Sequence, residues 1–224
     1  MAAILPFLLV IGSTATLDVT PTQPGNVNLI QENFVLDQFM GRWYEVAVTS
    51  TCPHYMKRKK TNPVVVELMF EHSEGNLTMT SSTLSSDGSC QHKLTTYNLT
   101  NTPGRFFHHV AQFAADVDSF VVQTNYTDHA VMFLKGVEKP LEITTFTAKL
   151  YSRTVHYRSA LLDHFKFSLR RLGLNDNDVI VNQYKGQCDQ SRHVTAEPQM
   201  FVSSKSDTNI HPVAHKEQSA VSAD

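Results

Sequence analysis

Three cysteines, Cys52, Cys90 and Cys188, are the side chains here with the sharpest reactivity, and an odd number leaves one thiol over if the chain folds in an oxidising compartment. Cys52 is followed at once by Pro53 and then by Lys57, Arg58, Lys59 and Lys60. Cations near a thiol favour the thiolate, which is the nucleophile, the reductant and the disulfide partner. The same run read blandly is a solvated basic loop beside an inert sulfur. His108 and His109 are adjacent, so on a strand one of them faces inward and could ligate a metal such as haem iron, or simply hydrogen-bond within the wall. His193, His211 and His215 lack metal-ligand spacing, no cysteines stand as CxxC, and no metal site is expected. GxSxG, P-loop, HExxH and dinucleotide fingerprints are missing from the sequence, which reads as a binding protein without a required cofactor and not as an enzyme.

Export would make the odd thiol matter, and both ends of the chain bear on it. Met1 to Thr16 is an apolar stretch closed by small residues, the pattern of a signal peptide over 1–17, so a secreted, extracellular protein is expected. Three sequons, at Asn76, Asn98 and Asn125, would then be glycosylation acceptors. Residues 189–224 are polar and without apolar periodicity and are expected to form a disordered tail. With 19 basic against 21 acidic residues the net charge is -2, which argues against a nucleic-acid partner, and past the leader no apolar run is long enough to cross a membrane.

The elements that must position these residues are strands. From Trp43 to Tyr151, short runs rich in Val, Thr, Phe and Tyr alternate with turn clusters. Eight strands are expected, at Trp43–Thr51, Val64–Phe70, Leu77–Thr83, Gln91–Tyr97, Arg105–Phe113, Ser119–Tyr126, Ala130–Lys135 and Thr144–Tyr151, with Asp116–Asp118 among the turns. Eight strands on short connections favour an up-and-down antiparallel barrel, an all-β fold that removes its own edges and has room inside for side chains or one small ligand. The inward aromatic and Met set is drawn from Phe70, Met79, Phe106, Phe113, Phe120, Met132 and Phe146 according to register. Leu161, Leu162, Phe165, Leu169 and Leu172 recur at helical spacing over Val155 to Leu172, so one helix, capped by Thr154, should pack outside the barrel before a short strand at Val179–Asn182.

Asn33-Phe34 before Gly41-Arg42-Trp43-Tyr44, then Thr124-Asn125-Tyr126, then Leu150-Tyr151-Ser152-Arg153 ahead of a helix, is similar to the lipocalins over about residues 29–188. The resemblance makes Gly41, Trp43, Thr124, Tyr126 and Arg153 structural, with the Arg153 guanidinium over the Trp43 indole at the closed end. It also pairs Cys90 with Cys188 and leaves Cys52 free at the open mouth. Ser50-Thr51-Cys52-Pro53, Thr147-Ala148-Lys149-Leu150-Tyr151 and the ending Tyr184-Lys185-Gly186-Gln187-Cys188 resemble one branch of the family.

That branch implies a carrier for a small hydrophobic molecule, haem or retinoid in class, with Cys52 and Lys149 at the ligand site and Lys149 lowering the thiol's pKa. Of the branch's rim lysines Lys149 is present, Val110 stands where another is expected and Lys135 is only approximately placed. Two alternatives follow from the same thiol: a redox scavenger or reductase, or a chain joined to a protein partner through a Cys52 disulfide. Members of the branch continue into cysteine-rich Kunitz modules; Cys188 is the last cysteine of this sequence, so no such module is expected within it.

Overall fold

In a computed structural model, which describes residues 29–188 apart from Glu74 and Pro140, a one-turn helix α1 (Leu36–Phe39) leads into β1 (Gly41–Ser50). A second helix α2 (Pro53–Thr61) precedes β2 (Val66–Ser73), β3 (Asn76–Leu84), β4 (Cys90–Leu99), β5 (Arg105–Val110), β6 (Ala115–Thr124), β7 (His129–Glu138) and β8 (Ile143–Ser152). Helix α3 (Ser159–Arg171) and the two-residue β9 (Ile180–Val181) complete it. The expected leader over 1–17 and tail over 189–224 lie outside the described residues.

Each of β2 to β8 pairs antiparallel with the next, and β1 closes the ring by pairing with β8 along one edge and β2 along the other. The fold is an eight-stranded up-and-down barrel with one extra strand. β2 lies beside β1 only from Gly41 to Glu45; β9 then takes the same edge at Ala47 and Val48. Covering that vacated edge leaves fewer backbone donors and acceptors of β1 unpaired.

Side-chain alternation sorts the walls into an inner and an outer face. Inside, at one end, Phe39, Trp43, Leu68, Phe70, Leu77, Met79 and Phe106 form a packed cluster. Outside, Val131, Ala148 and Leu150 meet Leu161, Phe165 and Leu169 of α3, three residues spaced four apart on one helix face. Phe120 and Phe146 belong to this outer side: both lie beside Phe133, with ring centroids 6.4 and 5.7 Å away. Phe113 is exposed. The inward set is therefore Phe70, Met79, Phe106 and Met132.

Three local expectations are corrected. Asp116 and Asp118 do not turn the chain; the reversal comes earlier, at Ala111–Phe113, with Ala114 at φ +44°. The two aspartates sit in β6: Asp116, opposite His109, meets its Nδ1 at 2.8 Å and Lys139 Nζ at 2.9 Å, and Asp118, opposite Phe107, reaches diagonally to Arg105 at 2.7 Å; such cross-strand contacts make acidic residues tolerable in a strand. Helix α3 begins at Ser159 because Thr154 does not cap it; the Thr154 hydroxyl donates to the His156 carbonyl at 2.7 Å, closing a local turn instead. At the other end Gly173, φ +72°, lets Leu174 N–H reach the Leu169 carbonyl at 2.9 Å, a glycine C-terminal stop. The residues after Cys52, expected as a loop, form α2, with Pro53 at its first position, where a missing N–H costs nothing.

Candidate functional site: the bore and its mouth

The closed end is held by the residues expected to be structural. Trp43 is fully buried and its indole N–H donates to the Phe39 carbonyl at 2.7 Å. The Arg153 guanidinium carbon lies 3.7 Å from the centre of the Trp43 ring, and its N–H groups donate to the carbonyls of Gln38, Met40, Arg42 and Tyr126. One planar cation thus ties α1, the start of β1 and the β6–β7 turn together across the floor. Gly41 has φ +87°, a conformation that side-chain-bearing residues rarely adopt. Thr124 Oγ1 donates to the His129 carbonyl and accepts from Tyr126 N–H, while the Tyr126 hydroxyl accepts from Val35 N–H.

Above that floor is a cavity of about 400 Å³ walled by β1 to β5, β7 and β8 and by α2. Its lining is more polar than a purely apolar pocket. Leu68, Met79 and Leu134 supply apolar wall, and Glu45, Lys93, Lys149 and His108 project into the same space, with Tyr55, Arg58 and Lys59 reaching in from α2. Trp43 and Glu45 are two apart on β1 and so share its inner face.

Glu45 is the centre of this polar set. Its carboxylate is buried and meets Lys59 Nζ at 2.7 Å and Lys149 Nζ at 2.8 Å. Burial alone would raise its pKa; the two ammonium groups outweigh burial and lower it to about 2. Lys149, in the other direction, is desolvated, yet Glu45 beside it holds its pKa well above the ordinary lysine value. Asn182, from the strap after β9, donates to the Glu45 carbonyl at 2.8 Å and accepts from Lys59 at 3.4 Å. Burial, followed by the Glu45 charge, pushes the Tyr55 hydroxyl up to about 12.

His108 faces the bore and His109 the outside, where His109 meets Asp116. The His108 ring lies 4.8 Å from that of Tyr97, and its Nδ1 is buried without a hydrogen-bond partner. Burial, then the nearby lysines Lys93 and Lys149, lower its pKa to about 4, so the imidazole is neutral at physiological pH. Among the described residues no group of three or more His, Cys, Asp or Glu side chains could hold a metal ion.

Cys90 and Cys188 form a disulfide with Cα atoms 5.6 Å apart, and Cys52 is unpaired. Cys52 is half-buried just before α2, where its N–H donates to Ser50 Oγ. It sits at the mouth but does not line the bore, and the ion-pair partner of Lys149 is Glu45. Of the basic run, Lys57, Arg58 and Lys60 are exposed and Lys59 is buried. Asn76 and Asn98 are exposed and stand directly opposite one another across β3 and β4. Asn125 is exposed and its Oδ1 accepts from the N–H groups of Asp128 and His129.

Sequence reasoning missed Glu45 and Tyr55, and named Lys59 only within the basic run, not as a bore residue. Glu45 was legible in principle, since it is in phase with an inward Trp43. Lys59 was not, because its position depends on α2 folding back over the mouth.

Residues 40–186 match the family model described as the lipocalin / cytosolic fatty-acid binding protein family. Protein AMBP of Pleuronectes platessa is 39% identical over 191 residues, covering 85% of this chain and 53% of the relative. Prostaglandin-H2 D-isomerase of Mus musculus is 26% identical, covering 76% of this chain and 88% of that protein. A solved structure described as "The Siderocalin Ex-FABP functions through dual ligand specificities" superposes with a TM-score of 0.54 at 23% identity, covering 66% of this chain and 96% of that one, which bears on the fold alone. The chain spans about half the length of the AMBP proteins it matches.

Proposed function

The chain belongs to the lipocalin family, on the side of alpha-1-microglobulin, and from that footing we propose that it is a secreted carrier that holds a small hydrophobic ligand, haem or retinoid in class, inside the barrel. The observation that carries this reading is the cavity of about 400 Å³ inside the barrel, whose apolar wall at Leu68 and Met79 belongs to the same packed cluster as Trp43 and whose polar lining includes Tyr55, Arg58 and Lys59 of α2. A concave site with apolar wall and a few placed polar groups is what a small-molecule carrier requires. Haem is one ligand within that class. The unpartnered His108 Nδ1 in the wall is an atom a metal-bearing ligand would meet, although its ring is equally held by Tyr97. The reading is of binding, with the one free thiol among the described residues outside the bore lining.

Mass spectrometry of the intact, unreduced protein expressed through a secretory pathway tests this. The expected spectrum shows a non-covalent ligand mass that disappears on denaturation, together with glycans on the sequons. A ligand-free spectrum from several secreting hosts, with no uptake of retinol or haem on addition, would overturn it.

A second reading is favoured by the pairing of Cys90 with Cys188, which leaves Cys52 over. Cys52 then acts as a reducing thiol or as the link to a protein partner. Under this reading Cys52→Ser abolishes reduction of a thiol-reactive oxidant, or a reductant-sensitive larger species, with ligand uptake unchanged. Retention of both in the variant contradicts it.

A further inference from the structure

Four connections ring the open mouth: α2 between β1 and β2, and the β3–β4, β5–β6 and β7–β8 turns. Two of them form one lip. Val110 is opposite Ala115, Ala115 opposite Glu138 and Glu138 opposite Ile143, so β5 to β8 end at one level and their two turns stand side by side above it. The Lys139 N–H donates to the Ala114 carbonyl at 3.0 Å and joins the turns. On this lip Leu141 is 74% exposed, Phe113 53% and Ile143 47%. Apolar side chains left in water cost free energy in proportion to area, and three large ones at one place mark an interaction surface.

The other half of the rim is basic. Lys57, Arg58 and Lys60 on α2, Lys93 on β4 near its turn and Lys185 on the strap after β9 are all exposed. Asp87 is the one acid in residues 53–65, 85–95 and 182–188. Lys185 Nζ donates to Asn62 Oδ1 at 3.3 Å, which places the strap's cation beside the end of α2. On the apolar lip Lys139 Nζ is held on Asp116 at 2.9 Å, leaving Glu138 and Glu142 as the lip's acids.

We infer that the mouth docks on an anionic lipid bilayer, with Phe113, Leu141 and Ile143 entering the interface and the cations of the other half-rim on its headgroups. The shape favours a bilayer over a folded protein partner. The apolar side chains stand at or beside the tips of two turns, not in a groove or on a flat face, and projecting tips need a yielding apolar layer. A bilayer offers that layer and a negative surface in one plane, the pairing this rim presents. Glu138 and Glu142 oppose insertion of their own lip, so apolar contact and headgroup attraction are both needed and attachment is reversible. Docked in this way the bore opens on the lipid, and a water-poor ligand passes between membrane and cavity with little exposure to water. Passage of ligand rests on the carrier reading; docking does not, because an empty barrel presents the same rim.

Co-sedimentation of the full chain with vesicles tests this, using phosphatidylcholine alone and phosphatidylcholine mixed with phosphatidylserine, at low and high salt. Binding to the mixed vesicles should be about tenfold or more stronger than to phosphatidylcholine alone and should weaken as salt rises. Phe113→Ser with Leu141→Ser, both outside the bore lining, should lower binding to mixed vesicles about tenfold or more. Lys57→Gln, Lys60→Gln and Lys185→Gln together, also outside the lining, should cut the preference for mixed vesicles to about threefold or less. Retinol uptake by each variant should match that of the unaltered chain; should the serine pair fail to fold, the lysine triple decides. Absence of binding to either vesicle by the unaltered chain, full binding by the serine pair, or a phosphatidylserine preference that survives loss of the three lysines overturns the inference. Each of those results leaves the carrier reading standing, which falls separately if neither retinol nor haem is taken up.

Discussion

Lys59, on the helix that crosses the mouth, reaches 2.7 Å from Glu45 Oε1 on the inner face of β1. A surface-helix lysine buried on a strand carboxylate joins lid and wall through one ion pair, and the Asn182 side chain ties the C-terminal strap to the same point. Breaking a buried pair leaves an uncompensated charge, and this costs more than the net strength of the pair.

Lys59→Met should therefore lower unfolding stability by about 1–3 kcal/mol, less than a full buried-pair deletion because Lys149 still faces Glu45. It should also speed hydrogen exchange across α2. Denaturant unfolding and exchange mass spectrometry read both. Unchanged protection of α2 would show that the ion pair does not hold the helix down.

Two bore groups contribute to the acid response, in windows that meet between about pH 4.5 and 4. His108 is held at about 4, below its ordinary 6.5, so its contribution is full above pH 6.5 and is lost as pH falls from 6.5 to 4, where the unfolded chain takes the proton first. Glu45 is held at about 2, below 4.5, so its ion pairs contribute fully above pH 4.5 and fade as pH falls from 4.5 toward 2, on the order of 3 kcal/mol in all. His108→Phe should flatten the melting temperature between pH 6.5 and 4.5 and leave the steeper loss below 4.5. A variant curve that tracks the original through the upper window contradicts the assignment.

The Cys90–Cys188 bridge anchors the strap whose Gln183 exchanges backbone hydrogen bonds with Pro63 and Val65, just after α2. Cys188→Ser should cost about 2–5 kcal/mol and raise exchange in the 62–65 segment as well as in β9. An effect confined to the C-terminal residues would show that the strap does not brace the mouth.

On the opposite face, Phe165→Ala empties a fully buried position between α3 and the barrel and should cost about 3–5 kcal/mol while leaving probe affinity in the bore within about twofold. Calorimetry with a parallel probe titration measures the two. A large affinity loss would mean that α3 shapes the cavity.

The barrel was legible because period-2 alternation and turn residues repeat through its wall, and the floor because Trp43 and Arg153 stand in recognisable blocks. The failures lie where a residue's place is set by a partner or a strand phase that its own local pattern does not display. Asp116 and Asp118 read as turn formers until β5 supplies His109 and Arg105. Thr154 reads as a cap until its hydroxyl finds His156. The run after Cys52 reads as a solvated loop, because a lysine gives no local sign that it will be buried on Glu45. Phe120 and Phe146 differ from the inward aromatics only by strand phase, and a register shift between Val121 and Gln123 disturbs that phase in β6.

Trp43 is the one tryptophan of the chain and lies in the floor of the bore, so its fluorescence reports on that cavity. Titrating retinol while exciting Trp43 tests directly whether the bore holds a ligand. The account predicts saturable quenching with transfer to the retinoid at one molecule per chain; emission that does not change, or that declines linearly without saturating, would contradict it.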